Sequence, residues 1–432
     1  MNVKNKSIIV SIAETLEYPE NVLTENNVDR HIVCDTLSLS HGLPGLCMLF
    51  GKLMEYCPNE AERWAGIGKR HLGIVVNEIN NNGINDMSLF SGLAGVGLAA
   101  VCLSNGFRDY RNLINTINRV LCNWIEKTNR VIDFRSGTHA VVYDVIAGMS
   151  GIISYMSLFK ADNECYDGLS HGIDMLIRLA DDICVFNKSV PGWYIPASNQ
   201  FTDFERKRYP KGNFNTGLSH GISGPLAVLS QTALNGFIRP GQIEAIKKMV
   251  DFLMTYKNNH NGRVIWNSQL DFEQVANGMQ APTDKFYRDA WCYGVPGICY
   301  TLLCAAQATD DKSLAAFSID TLCTAVNDIQ GIFSPTICHG YTGICQLLDG
   351  AERLVGKNCF ASEKEMIVKE ILDFYDEKHK YGFCDIDYDV EKGSNVSYDV
   401  CGFLNGAAGV ALGLCSLENN KNNTWQRALM IV

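Results

Sequence analysis

HGISGPLAVL, residues 220–229, sets two glycines three positions apart at the head of an apolar run, and the same arrangement returns along the whole chain. The other copies are HGLPG (41–45), SGLAG (91–95), AGMSG (147–151), YGVPG (293–297), HGYTG (339–343) and NGAAG (405–409). Successive first glycines stand 50, 56, 73, 73, 46 and 66 residues apart. Each interval has room for one helix hairpin, and a motif recurring at such intervals across a chain is the mark of a repeat architecture. Runs just after the glycines, such as 226–229 and 410–414, are apolar on every side and predict inner helices. Segments between motifs are amphipathic and predict an outer layer. In 242–256, Ile243, Ile246, Met249, Val250, Leu253 and Met254 share one face. Ser362 and Glu365 have capping-box spacing ahead of Met366, Ile367, Ile371 and Leu372, and Pro225 suits a first helical position. The expectation is an all-α chain, an α,α-toroid of paired helices with the residues before the glycines converging on one rim.

The two longest intervals carry strand-like stretches, VPGWYIP (190–196) and RVIWNSQL (263–270), rich in β-branched and aromatic residues. Mixed-charge polar stretches follow them, around 203–211 and 273–285. Insertions near 184–212 and 258–287 are therefore expected to form a small β-containing extension on a single domain spanning 1–432. No low-complexity linker divides the chain.

The charge balance excludes some classes of function. A net charge of −10 without a block of like charges argues against nucleic-acid binding, which needs a basic stripe. The N-terminus has no signal-peptide pattern, and the most apolar stretches, 92–103 and 404–417, are too short and too rich in Gly and Ala to span a bilayer. A soluble cytoplasmic protein is expected. Its 17 cysteines lack framework spacing, so most, including Cys102, Cys122, Cys304, Cys323 and Cys415, read as reduced core residues. Cys299 and Cys345, inside the runs after their motifs, are left out of the site on the same ground.

Three residues stand apart. Cys292 in WCYG, and Cys338 and His339 in ICHG, occupy equivalent points of neighbouring repeats, each cysteine two positions before a motif glycine. Two thiols and an imidazole from facing turns suit a zinc ion with an open coordination position. His220 precedes the fourth motif as His339 precedes the sixth, and a histidine there could give or take a proton or simply bond a carbonyl. His41 shares that form, and SHG recurs at 170–172, so form alone does not separate reactive histidines from the rest. Asp144 could cap a helix, orient His220 or accept a proton. Arg288 could stabilise an anion or pair with Asp289, and Tyr293 could donate to an oxyanion or merely pack.

Together, YDVIAGMSG, GLSHGISG, RDAWCYGVPG and ICHGYTG resemble the signature of the lanthionine synthetase C family, the lantibiotic cyclases, and the resemblance runs over the whole chain. It implies a toroid of seven inner and seven outer helices. It implies one zinc on Cys292, Cys338 and His339, with His220 as acid/base, Asp144, Arg288 and Tyr293 as further catalytic residues, and no role for His41. The implied reaction is addition of a peptide cysteine thiol to dehydroalanine or dehydrobutyrine, closing a thioether ring. The implied partners are a dehydrated precursor peptide with its leader, a lantibiotic dehydratase and an exporter, with a peripheral place at the membrane through such a complex. The length fits a stand-alone cyclase without a fused dehydratase domain. Two other readings remain open: a related protein that adds glutathione to dehydroamino acids, and a zinc-stabilised scaffold that only binds peptides. A glycoside-processing toroid would want paired carboxylates at the rim, where this chain offers Cys and His.

Overall fold

The computed structural model describes residues 3–23, 26–27, 32–33, 35–280, 287–389, 392–419 and 421–432. Residues 281–286 of the second expected insertion lie outside them. All seven glycine motifs lead into helices: Leu43–Tyr56, Leu93–Leu103, Met149–Met156, Ser223–Leu234, Val295–Thr309, Tyr341–Val355 and Ala407–Glu418. Most are apolar on every side and are therefore buried; Tyr341–Val355 differs in carrying Gln346, Asp349, Glu352 and Arg353. Ten of the eleven residues of Leu93–Leu103 are buried, Cys102 being the exception. Each fully buried Leu, Ile or Val side chain contributes about 1.5–3 kcal/mol. Seven longer or more polar helices accompany them: Val3–Thr15, Ala61–Asn82, Arg111–Val131, Asn163–Arg178, Gln242–Thr255, Lys312–Asn327 and Ala361–Asp373. Ala61–Asn82 buries Trp64, Ile67, Gly68, His71, Leu72 and Val75, one face at helical spacing, and leaves the other to solvent.

These helices fall into two compact units, 1–118 with 332–432, and 119–331. In the first, Leu43–Tyr56 packs on Leu93–Leu103 and on Ala407–Glu418, which in turn packs on Tyr341–Val355. Ala61–Asn82, Val3–Thr15 and Ala361–Asp373 back them. The chain ends meet here: Asn5 Nδ2 and Tyr56 OH both donate to the Glu418 carboxylate, each at 2.8 Å. In the second unit, Ser223–Leu234 sits between Met149–Met156 and Val295–Thr309, backed by Asn163–Arg178, Gln242–Thr255 and Lys312–Asn327. Among the described residues no helix is long and apolar enough to cross a membrane.

Among the described residues strands occur as short antiparallel pairs. Both expected strand stretches contribute: Asp182–Val185 pairs with Lys188–Pro191, and Asn258–His260 with Arg263–Ile265. Asn213–Asn215 pairs with Gln269–Asp271, tying one insertion to the other. The hairpin of Asp385–Asp389 with Ser394–Tyr398 is unannounced by the sequence.

Two local expectations fail. Ser362 does not cap Ala361–Asp373; its Oγ bonds Glu363. Glu352, from the preceding helix, accepts the Phe360 N–H at 2.6 Å instead, so a tertiary carboxylate answers the helix start. Pro225 is the third residue of Ser223–Leu234, not the first, still within the first turn, where its missing N–H costs nothing.

The turns before the inner helices are stitched together by backbone hydrogen bonds. In the first unit, Leu39 N–H donates to Phe90 O (2.9 Å), Leu404 N–H to Ser40 O (3.1 Å) and Cys338 N–H to Leu404 O (3.0 Å). In the second, Val145 N–H donates to Ser219 O (3.0 Å) and Leu218 N–H to Cys292 O (2.9 Å). Glycine makes room for this. Gly294 holds φ at +105°, and a Cβ there would lie 1.9 Å from Arg288 O. Gly294→Ala is therefore expected to destabilise the protein by about 1–3 kcal/mol or more, read as a lowered thermal midpoint. Gly66→Ala is the control: it sits on the exposed face of Ala61–Asn82 with nothing within 4 Å and should be neutral or stabilising by about 0.4–1 kcal/mol.

Candidate functional site

Four of the predicted site residues come together on stitched turns of the second unit. Asp144, fully buried, ends the short helix Ala140–Tyr143. Its Oδ1 accepts the N–H groups of Ala147 (2.7 Å) and Gly148 (2.8 Å), and its Oδ2 faces His220 Nδ1 at 2.6 Å. One oxygen thus faces His220, and the other holds the two N–H groups just ahead of Met149–Met156, a helix without a side-chain cap. An ionised carboxylate only accepts, so His220 Nδ1 carries its proton and Nε2 keeps the lone pair. The half-exposed His220 ring can then take a proton at Nε2, or give one when charged.

The His220 turn rests directly on the Cys292 turn. Cys292 O accepts from the Leu218 and Ser219 N–H groups at 2.9 and 3.2 Å. Next to it, Tyr293 OH accepts from Asn215 Nδ2 at 2.9 Å, while Asn215 Oδ1 accepts from Gly217 N–H at 3.0 Å, which fixes the amide's orientation. A Cβ on Gly217 would meet the Tyr293 ring at 2.5 Å, so only glycine allows this approach. Burial pushes the Tyr293 phenol well above its ordinary value. It stays protonated near neutrality, and its own hydrogen is available to donate. Asp289 is not held by Arg288. Its Oδ2 is taken by Arg263 Nη2 and by the Gln330 N–H, and burial, opposed by Arg263, pushes its carboxyl up to about 6.

Cys338 and His339 stand in the first unit, on the turn anchored to Leu404. His339 Nε2 donates to Asp385 Oδ1 at 3.2 Å, and Asn405 Nδ2 lies 3.4 Å from its Nδ1. Asp385, fully buried, also accepts from Ser334 Oγ (3.0 Å) and Thr336 Oγ1 (3.3 Å). A carboxylate on one imidazole nitrogen leaves the other, Nδ1, with the lone pair, as in histidines that bind metals. Soft thiolate and imidazole donors suit zinc, so the residues present fit it. Among the described residues no three His, Cys, Asp or Glu side chains are already gathered as a metal-binding group. His41 has a buried Nδ1 without a hydrogen-bond partner. Burial lowers its pKa against the opposing pull of Asp385.

None of the sixteen described cysteines is in a disulfide. Cys299, Cys304, Cys345 and Cys415 are buried, as expected for core residues, while Cys102, Cys122 and Cys323 are half-buried. Burial pushes the Cys304 and Cys345 thiols up to about 12, which keeps them protonated and poor metal ligands.

The sequence did not single out Asp385, Asn215, Asn405 or His139. Asn405 had a signal, since it fills in the seventh motif the place His339 fills in the sixth. Asp385 had none, being the first of three alternating aspartates in a polar hairpin.

Comparison with known proteins bears on the family and the fold. Residues 34–430 match the family described as lanthionine synthetase C-like protein. The chain is 27% identical over 399 residues to the nisin biosynthesis protein NisC of Lactococcus lactis subsp. lactis, covering 91% of this chain and 89% of that protein. A solved structure of nisin cyclase superposes with a TM-score of 0.82 at 25% identity, over 99% of this chain and 97% of that one. That match carries the fold class expected from the sequence, the all-α class of the α,α-toroid. With a family match running over nearly its whole length, the chain belongs to the lanthionine synthetase C-like family.

Proposed function

We propose that this protein is a zinc-dependent lanthipeptide cyclase, which closes thioether rings in a precursor peptide whose Ser and Thr residues have been dehydrated. The observation that carries the reading is the Asp144–His220 couple, 2.6 Å apart, on a turn hydrogen-bonded to the backbone of Cys292. Cys292, Cys338 and His339 are the residues that would hold zinc. Zinc bound there lowers the pKa of a substrate thiol, so that the sulfur is thiolate near neutral pH.

The rest of the chemistry falls to the chain's own side chains. Addition of the peptide thiolate to the β-carbon of a dehydro residue forms the C–S bond and moves the alkene electrons into an enolate. The enolate needs stabilisation at oxygen and a proton at its α-carbon. His220 supplies the proton, its ring held by Asp144 so that Nε2 faces the reacting residue. Tyr293, whose phenol stays protonated, and Arg288 stabilise the enolate oxygen. Asp144 orients His220, and its second oxygen is committed to the Ala147 and Gly148 N–H groups. The partners of this reading are the dehydrated precursor with its leader, a dehydratase and an exporter.

The test uses a dehydrated, cysteine-bearing precursor at about pH 6, where free thiolate is scarce, with and without the protein. Ring closure leaves the mass unchanged and removes alkylatable thiols, so mass spectrometry after alkylation counts rings. Thiols should disappear faster with protein, and the advantage should shrink at alkaline pH as the unassisted addition speeds up. Equal rates with and without protein at about pH 6 would remove the cyclase reading.

A further inference from the structure

The His220 imidazole has a second neighbour that the chemistry above does not use. A single hydrogen bond, from Nδ1 to Asp144, opposes rotation of the ring about its Cβ–Cγ bond, and that rotation moves Nε2. Phe201 packs against the ring at 5.1 Å between centroids and 60° between planes. Phe201 also meets His139 edge-on, at 5.2 Å and 83°. One phenyl ring is thus a wedge set against two imidazoles.

The wedge is itself built in. On one side of Phe201, Gln200 is buried; its Nε2 donates to Tyr209 O at 3.2 Å and its carbonyl accepts from Arg206 Nη1 at 2.9 Å. On the other side, Thr202 and Glu205 form a reciprocal capping box on the helix Asp203–Arg208. His139 is fixed in turn, its Nδ1 accepting the Val141 N–H at 3.2 Å as the N-cap of Ala140–Tyr143, the helix that Asp144 ends. Burial lowers the His139 pKa, so the ring on this flank stays neutral near neutrality. Phe201 remains 44% exposed. An aromatic ring left this open, yet in contact with two imidazoles and anchored at both backbone flanks, is held for its position, since burial gains it little.

We infer that Phe201 is a positioning residue for the proposed reaction: packed on His139 as well, it restricts rotation of the His220 ring about its Cβ–Cγ bond and so aims Nε2. The inference rests on the cyclase reading for its catalytic consequence, but the ring contact stands without it. It also gives the first insertion a task, delivering one aromatic side chain to the acid/base histidine.

The experiment pairs kinetics with NMR of the protein labelled with ¹³C at histidine, the His220 signal being identified by its loss in His220→Asn. In Phe201→Ala the His220 ring protons should shift as the phenyl ring current is lost, and kcat should fall about two- to tenfold with KM little changed, the range an edge-to-face contact is worth. Phe201→Tyr should restore both. His139→Asn keeps a good helix cap and should shift the His220 signal in the same direction by a smaller amount. If Phe201→Ala leaves the His220 signal and kcat unaltered, or if kcat falls only as the folded fraction falls, the inference is wrong. If the unmodified protein closes no rings while Phe201→Ala still shifts His220, the cyclase reading fails and the positioning contact survives.

Discussion

Cys338→Ala should strip the protein of zinc and end ring formation while leaving its helices in place. The Cys338 turn is held by a backbone bond, Cys338 N–H to Leu404 O at 3.0 Å, which alanine keeps. Cys338 itself is only half-buried, so truncating it opens no large cavity of the kind that makes core substitutions costly. The helices around it draw their stability from their own buried faces, Tyr341–Val355 from Ile344, Cys345, Leu347, Leu348 and Ala351. In a site of three protein ligands, however, losing one thiolate removes a third of the donor set and the softest kind of donor. Elemental analysis should show zinc falling from about one per chain to near none, and circular dichroism should be unchanged. Full zinc occupancy in the variant would overturn the assignment of Cys338. Wholesale loss of helical signal would mean instead that the metal holds the fold together.

The glycine-led helices are legible in the sequence because their signal is local. Two glycines three apart, followed by a run without a polar face, permit few structures. The same locality brings out Cys292, Cys338, His339 and His220, each at a fixed offset from a motif glycine. What the sequence hides is what reaches those residues from elsewhere in the chain. Asp385 comes to His339 from 46 residues away, on a hairpin whose strands, DIDYD and SNVSY, lack apolar alternation because only Asp385 and Tyr398 at its base are buried and neither face packs along its length. Phe201 reaches His220 from a polar insertion where nothing in spacing distinguishes it from Phe204. The failed capping box is the same lesson at one helix end. Ser362 and Glu365 have the right spacing, but Glu352, outside any local window, already holds the Phe360 N–H. Asp144 shows the limit from the other side: one oxygen bonds His220, and the other takes the Ala147 and Gly148 N–H groups ahead of the helix Met149–Met156 without capping it.

That division of labour within Asp144 yields the second large effect. In Asp144→Asn the amide oxygen can keep accepting the Ala147 and Gly148 N–H groups, so the turn should survive. The amide nitrogen then replaces Oδ2 opposite His220 Nδ1. It donates where the carboxylate accepted, which favours the tautomer with the lone pair on Nδ1 and the proton fixed on Nε2. The imidazolium that proton donation requires also loses its balancing charge. Cyclisation should fall by about 10²–10⁴-fold, the range of a lost acid/base contribution, with thermal stability close to that of the unmodified protein. His220→Asn should lose as much, and the double variant little more than either, because the pair acts as one unit. Zinc content should stay unchanged in all three, neither residue being a proposed ligand. Asp144→Ala separates the two roles: it should show the same catalytic loss plus about 1–3 kcal/mol of destabilisation from the Ala147 and Gly148 N–H groups left without their acceptor. His41→Asn, the control, should do little, since His41 shares the sequence form of His220 but faces no such carboxylate bond. If Asp144→Asn cyclises normally, the proton donor does not depend on this pair. If His41→Asn and His220→Asn consume thiols equally slowly, the distinction drawn between the two histidines is wrong.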